Sequence, residues 1–302
     1  MYLLNPENIK IRIILSLILA SNFAFSQAPV ASDLFVLNGN ISKDSFLIQQ
    51  ISLLNSFNPS GYNNQPYFLD ESRVLITSQM PSDKQTEIWM LNMEDKYRIN
   101  MTISPESEYS GTPVPGDGGF SCVRVETEPA GKQTIMHYFQ GDPPKVQEIY
   151  NGPMQVGYYS WLDRQHIAIY AIKEKEGNEL QLIDLSTNKT TLIAKNPGRC
   201  IRRSLEGAVA YVSKADSTYW FLKTFDPMTM RTEIIANCPE GSEDFEQLMD
   251  GTYIMAQNSK IFSLAPGAKT WKEIANLSAL GINNIGRLAI WKKEKLILVN
   301  SH

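Results

Sequence analysis

YNNQPYFLDESRVLITS (62–78), followed by TEIWMLNME (86–94), decides the fold of this 302-residue chain. The first stretch reads as a polar lead-in, an apolar strand, a tight turn at Asp70 and a second strand. The second alternates apolar and polar residues as a half-buried strand does. A fourth strand is expected near Arg98 to Ile103, and helical periodicity is nearly absent. Four short strands in a row cannot bury their apolar faces alone, so the unit needs neighbours of its own kind.

Those neighbours follow in sequence. Aligned on the turn after the first strand, Asp70 is succeeded by Asp117 in the Gly116–Gly119 turn, then Asp163, Glu206-Gly207 and Asp250-Gly251, at spacings of 47, 46, 43 and 44 residues. QVGYYSWLDRQHIAIYAI (155–172) with ELQLIDLSTNKTTLIA (179–194) repeats the scheme, as does SLEGAVAYVSK (204–214) with WFLKTFDPMTMRTEIIA (220–236). A period near 45 residues with four strands per unit marks a β-propeller blade. The ends supply half a blade each: NNIGRLAIWKKEKLILVNS (283–301) gives two strands, and DLFVLNG with SFLIQQISLLN (33–55) gives two more. The expectation is an all-β, six-bladed propeller of four-stranded blades, closed by a composite blade from both termini.

Residues 1–26 read as an export signal, with Lys10 and Arg12 ahead of the apolar run Ile13–Phe25 and a cleavage point between Ser26 and Gln27. The run is shorter than the roughly 20 residues of a spanning helix, so no membrane span is expected in the mature chain. Residues 27–302 then form a single propeller domain, periplasmic or secreted. Loss of Glu7, Lys10 and Arg12 takes the formal charge from −4 to −5. A mildly acidic surface argues against nucleic acid and anionic membranes as partners. Of three cysteines, Cys122 sits in a strand pattern as a small apolar residue, while Cys200 and Cys238 bracket one repeat and could pair.

YNNQPYFLDESRVLITSQ with TEIWMLNM resembles the TolB-like, WD-repeat-like propellers, and SEYSGTPVPGDGGFSCVRVE (107–126), VGYYSW (156–161) and GSEDF (241–245) resemble an exported bacterial subgroup of them of undefined activity. Units of that family combine a lead-in, a Pro, an apolar strand, a Pro-Asp-Gly-type turn and a pair of strands with an S…G…IW pattern. Asp70-Glu71-Ser72 and Leu205-Glu206-Gly207 depart from that turn, and TolB's additional N-terminal α/β domain has no counterpart in this sequence. The resemblance covers the mature chain and implies a propeller that contacts protein in the cell envelope. Metal-dependent pectin-fragment lyases of the same fold would imply several channel histidines. This sequence has His137, His166 and His302, the first two in strand patterns of adjacent units.

No GxSxG elbow, HExxH pair or phosphate-binding glycine loop occurs, and no cofactor or metal is expected. The carboxylates Glu108, Glu243 and Asp244 fall in the second and fifth units, on opposite sides of a six-bladed ring, too far apart for a glycosidase pair. The lead-in segments are the more informative set. Asn63-Asn64-Gln65, Glu108-Tyr109-Ser110, Tyr158-Tyr159, Arg202-Arg203, Glu243-Asp244 and Asn283-Asn284 are expected to gather at one mouth of the channel. Candidate ligand-binding residues are therefore Asn64, Glu108, Tyr109, Tyr159, Arg202, Arg203, Glu243 and Asp244, with the arginines suited to an anionic group and the tyrosines to stacking. The same residues could instead hydrogen-bond between blades and satisfy backbone groups. Two functions stay open: a non-enzymatic propeller binding an envelope protein or peptide, or a site for carbohydrate or a small polar ligand, including hydrolase or lyase activity, at the channel mouth.

Overall fold

The computed structural model describes residues 30–141, 144–150, 152–173 and 176–302. The export signal expected at 1–26 lies outside the described residues. The described chain opens with a hairpin of β1 (Ser32–Ile41) and β2 (Phe46–Leu53). Blade 1 follows as β3 (Tyr62–Phe68), β4 (Arg73–Gln79), β5 (Glu87–Asn92) and β6 (Tyr97–Asn100). Blade 2 holds β7 (Ser107–Pro113), β8 (Phe120–Val125), β9 (Gln133–Tyr138) and β10 (Val146–Tyr150). Blade 3 holds β11 (Gln155–Trp161), β12 (His166–Ile172), β13 (Glu179–Asp184) and β14 (Lys189–Lys195). Blade 4 comprises β15 (Pro197–Arg203), β16 (Val209–Ser213), β17 (Phe221–Asp226) and β18 (Arg231–Asn237). Blade 5 comprises β19 (Phe245–Gln247), β20 (Tyr253–Gln257), β21 (Lys260–Leu264) and β22 (Lys272–Asn276). The last strands, β23 (Ile285–Trp291) and β24 (Lys295–Ser301), join the first two in blade 6, with the order β2-β1-β24-β23.

The sheets are antiparallel and each has four strands, which gives the six-bladed propeller the repeat requires. Closure runs through β1 and β24, where Leu34 lies opposite Val299 and Val36 opposite Ile297. Six apolar clusters fill the six seams between blades. Leu34, Val36, Ile297 and Val299 pack on Phe68, Val74 and Ile76 of blade 1, while Leu37, Leu296 and Leu298 pack on Ile254 and Ile261 of blade 5. Blades stacked face to face bury both faces of their inner strands. This is why β4, β16 and β24 are runs of buried residues rather than alternating ones. Outermost strands such as β14 (KTTLIAK) turn polar instead.

The aspartates of the repeat shape its turns. Asp70 Oδ1 accepts hydrogen bonds from the Ser72 and Arg73 amides at 2.9 and 2.8 Å, and Asp163 Oδ1 does the same for Gln165 and His166 at 2.7 and 2.9 Å. A short carboxylate that bonds its own backbone two residues on is the reason Asp recurs there. Blade 4, which has Glu206 in that place, uses Gly207 at φ 84° and a Ser204 Oγ bond to the Ala208 amide.

The possible pairing of Cys200 with Cys238 is not formed. Cys200 lies within the innermost strand of blade 4 and Cys238 just beyond its outermost strand, and all three cysteines are free. Strands about 4.8 Å apart place the two cysteines roughly 14 Å from each other, beyond the span of about 7 Å that a disulfide can close.

Candidate functional site

The innermost strands β3, β7, β11, β15, β19 and β23 line the channel, and the turn at the end of each sets its register. The turns are closed by amide-to-carbonyl bonds from Leu69 to Arg73, Val114 to Gly119, Leu162 to His166, Ser204 to Ala208 and Leu248 to Thr252. Counting back from these turns aligns Tyr67, Thr112, Ser160, Arg202 and Glu246 at one level of the channel. By ladder partner, Asn64, Tyr109 and Tyr158 share another level toward the mouth where the strands begin, with Arg199 nearby in the β15 bulge and Glu243 just before β19.

This register separates the candidates. Asn64, Tyr109, Glu243 and Asp244 sit at the mouth end. Arg202 lies deeper, and Arg203 is exposed at the far end, next to the Ser204 turn. The mouth position of blade 4 belongs to Arg199. Glu108 and Tyr159 point between blades. Glu108 is fully buried, bonded by Ser104 Oγ at 2.6 Å and Arg124 Nε at 3.1 Å. Tyr159 is buried with its hydroxyl 2.8 Å from Ser121 Oγ and bonded to the Ser110 carbonyl at 3.3 Å. Burial pushes the Glu108 carboxyl upward against the opposing effect of Ser104 and Arg124, and it raises the Tyr159 phenol as well.

Side chains from opposite blades close the channel. Arg287 of blade 6 lays its guanidinium over the Tyr158 ring of blade 3, 4.8 Å from the centroid. One level down, Arg202 grips Glu246 at 2.9 Å, and burial raises both the Glu246 carboxyl and the phenol of Tyr67 from the facing blade. The Arg202 side chain is about three-quarters buried and keeps some contact with water in the channel. A buried cation is tolerable only beside an anion, and each channel arginine has one.

The mouth is open at the seam of blades 5 and 6. There β19 has only three residues, and a bowl of about 250 Å³ forms, lined by Arg199, Glu243, Asp244, Asn258, Asn284 and Arg287 among others. Arg199 spans blade 5 to donate to the Gly286 carbonyl at 3.2 Å. Its Nε stands 3.2 Å from Glu243 Oε1 as an ion pair without hydrogen-bond alignment. Glu243 Oε2 accepts from Lys214 Nζ at 3.1 Å and from the Arg199 amide at 3.2 Å. Asp244 fixes the seam: Oδ1 accepts from the Leu288 amide at 2.8 Å, and Oδ2 faces Arg287 Nη1 at 3.4 Å. The bowl thus offers both charge signs, held by neighbours that can exchange partners. Among the described residues no group of three or more His, Cys, Asp or Glu is placed to hold a metal ion. His137 of β9 pairs with Asp117 at 3.1 Å and His166 of β12 with Asp163 at 2.9 Å, both aspartates lying in the turns at the far end of the inner strands.

No protein-family profile matches the chain, and no curated protein sequence does. Solved structures do match. A structure assigned as TolB from Agrobacterium tumefaciens superposes with a TM-score of 0.62 at 9% identity, covering 90% of this chain and 99% of the other. TolB from Acinetobacter baumannii gives 0.54 at 12% identity, covering 91% of this chain and 66% of that protein. The fold is that of the TolB-like propellers. Oligogalacturonate lyase from Vibrio parahaemolyticus shares it too, with a TM-score of 0.52 at 11% identity over 91% of this chain and 98% of the lyase. At such identities the likeness shows architecture. The chemistry of this propeller has to be argued from its own channel, where residue type alone does not single out Arg199, Arg287, Tyr67 and Glu246.

Proposed function

We propose that the chain is a non-enzymatic binding propeller, exported to the periplasm or beyond after loss of residues 1–26, that takes an envelope protein or peptide at the bowl between blades 5 and 6. The observation that carries this reading is the bowl of mixed charge above a channel closed by the Arg287–Tyr158 contact. A ligand entering deeply has to displace paired arginines, whereas a peptide end or loop tip needs only the rim. A carboxylate there competes with Glu243 for Arg199 and Lys214, and an amine competes with them for Glu243. The likeness to TolB favours a protein partner by analogy of fold.

The test begins with crosslinking of the tagged chain in its native envelope and purification of the partner. Calorimetry then compares the wild type with the Arg199→Ala/Glu243→Ala variant. The expected result is affinity weakened at least about tenfold, a loss of about 1.4 kcal/mol. Equal binding by both proteins refutes the assignment to the bowl. A glycan recovered from the bowl, with no protein partner, overturns it in favour of carbohydrate.

A further inference from the structure

The outermost strand of blade 6, β2, differs from the other five. β6 (YRIN), β10 (VQEIY), β14 (KTTLIAK), β18 (RTEIIAN) and β22 (KEIAN) each carry at least one charged residue, and β2 (FLIQQISL) carries none. It is also the longest, at eight residues. Charged side chains on an edge strand are the common protection against edge-to-edge pairing, so β2 is the unprotected edge of the ring. The strand bonds only to β1, which leaves its outer row of amides and carbonyls without strand partners. Leu47 and Leu53 are 64% and 42% exposed.

The strand is also close to a palindrome about Gln49 and Gln50. In an antiparallel pair formed around a twofold axis between those residues, Phe46 faces Leu53 of the second copy. Leu47 faces Ser52, Ile48 faces Ile51, and Gln49 faces Gln50. Directly opposed residues must point to the same side of a sheet, and in a regular strand Ile48 and Ile51 would point to opposite sides. A β-bulge removes that conflict. Asn38 pairs with Gln50 and Gly39 with Ile48, so Gln49 is the extra residue and the alternation resets there. Ile48 and Ile51 accordingly pack on the same cluster as Leu37.

We propose that β2 is a dimerisation edge, through which two copies of this chain pair antiparallel about a twofold axis between Gln49 and Gln50. Their blade 6 sheets, four strands each, become one continuous sheet. A second copy suits this edge because every contact it needs is already in the strand. The two glutamine amides at the axis each donate and accept, and no charge requires a counterpart. The same register brings Leu47 of the second copy to Ser52, on the wall of a groove of about 900 Å³ between blades 6 and 1 that also includes Leu53, Phe57 and Tyr97.

Sedimentation velocity of the full-length chain, from about 1 to about 100 µM, tests the assembly. The wild type should sediment as a dimer at the upper end. Gln49→Lys places two ammonium groups beside the axis, and Gln50→Glu places two carboxylates there. Each alone should weaken association at least about tenfold. An equimolar mixture of the two variants should recover the dimer, because the ammonium introduced in one copy then faces the carboxylate introduced in the other. Both positions are exposed, and unchanged thermal midpoints of the separate variants confirm that the fold is kept. A wild type that stays monomeric throughout overturns the proposal, including one that captures an unrelated extended peptide at β2. So does a dimer indifferent to both substitutions, or a loss that mixing does not restore.

Discussion

Removing the Asp244 side chain should loosen the seam of blades 5 and 6 far more than neutralising it does. Its Oδ1 is the partner of the buried Leu288 amide at 2.8 Å, and its Oδ2 faces the buried Arg287 guanidinium at 3.4 Å. Asp244→Ala strips the acceptor from an amide that water cannot reach, at a cost of about 1–3 kcal/mol. It also leaves Arg287 without its carboxylate, and breaking a buried pair in this one-sided way brings the total to about 3–5 kcal/mol. Asp244→Asn keeps an oxygen for Leu288 and loses only the charge, which is worth about 1–2 kcal/mol. For a chain of this size each kcal/mol moves the melting temperature by about 2–4 °C, so Ala should lower it by about 10 °C and Asn by about 4 °C. Differential scanning calorimetry at low salt and neutral pH measures both. If Asp244→Ala melts as high as Asp244→Asn, the Leu288 bond contributes nothing, and the reasoning that ties the mouth to the seam is refuted.

Two further predictions concern buried titratable groups. Burial, with the neighbouring Glu108 adding, raises the Glu87 carboxyl from 4.5 to about 7, while the Thr102 hydroxyl at 2.7 Å opposes the shift. A raised folded value means that stability is complete below the unfolded value and is lost as pH rises through the folded one. The melting temperature should therefore fall between about pH 5 and about pH 8, with Glu87 accounting for about 2 kcal/mol after allowance for its partial screening. Glu87→Gln should reduce that slope, leaving the part due to Glu108 and Glu246, which burial also raises, and a variant that tracks the wild type across the window contradicts the assignment. Burial likewise pushes the Cys200 and Cys238 thiols up to about 12, and the free thiols imply an unchanged melting temperature with reductant. Thiol reagent should label the native protein slowly and all three cysteines rapidly once it is unfolded. An intact mass lower by two hydrogens, restored by reductant, would show a bridge instead.

The fold was legible because four of the six blades repeat a chemical necessity. Asp70, Asp117, Asp163 and Asp250 recur because their carboxylates satisfy turn amides, and the composite blade was countable because each terminus supplied half of it. The candidate site was less legible, for two physical reasons. Bulges in β3, β7, β11, β15 and β23 shift the strand phase, so residues that look equivalent by type are not equivalent in space. Arg202-Arg203 stood out as a charged pair, but Arg199, in the β15 bulge nearer the start of the strand, is the one that lines the mouth. In addition, Glu108 and Tyr159 fall on strand positions that point between blades, where a polar side chain bonds its neighbours rather than a ligand. Contacts across the ring, such as Arg287 on Tyr158, join blades 6 and 3 and leave no trace in local sequence.

The way this channel is filled bears on what the propeller can bind. An apolar plug would stabilise the ring equally well, since replacing buried ion pairs by packed apolar groups is often neutral or favourable. Arg202 with Glu246 and Arg287 with Asp244 therefore add little stability, and their value lies in fixing the angular register of blades through directional bonds. Blade 5 needs that most, because its innermost strand has three residues where the others have seven. The gap left by the short strand is the bowl itself. Its rim is thus set by the same guanidinium and carboxylate groups that hold blades 4, 5 and 6 together through Arg199, Glu243 and Asp244. A partner that takes Glu243 or Arg199 as its own counter-ion has to draw on contacts that align these blades, so binding at the mouth and the stability of the blade 5 seam should oppose each other. Variants that weaken the seam without touching the bowl, Ile254→Val in the apolar cluster of blades 5 and 6 being one, should bind the same partner more tightly, and a partner indifferent to seam stability would have to sit on another face.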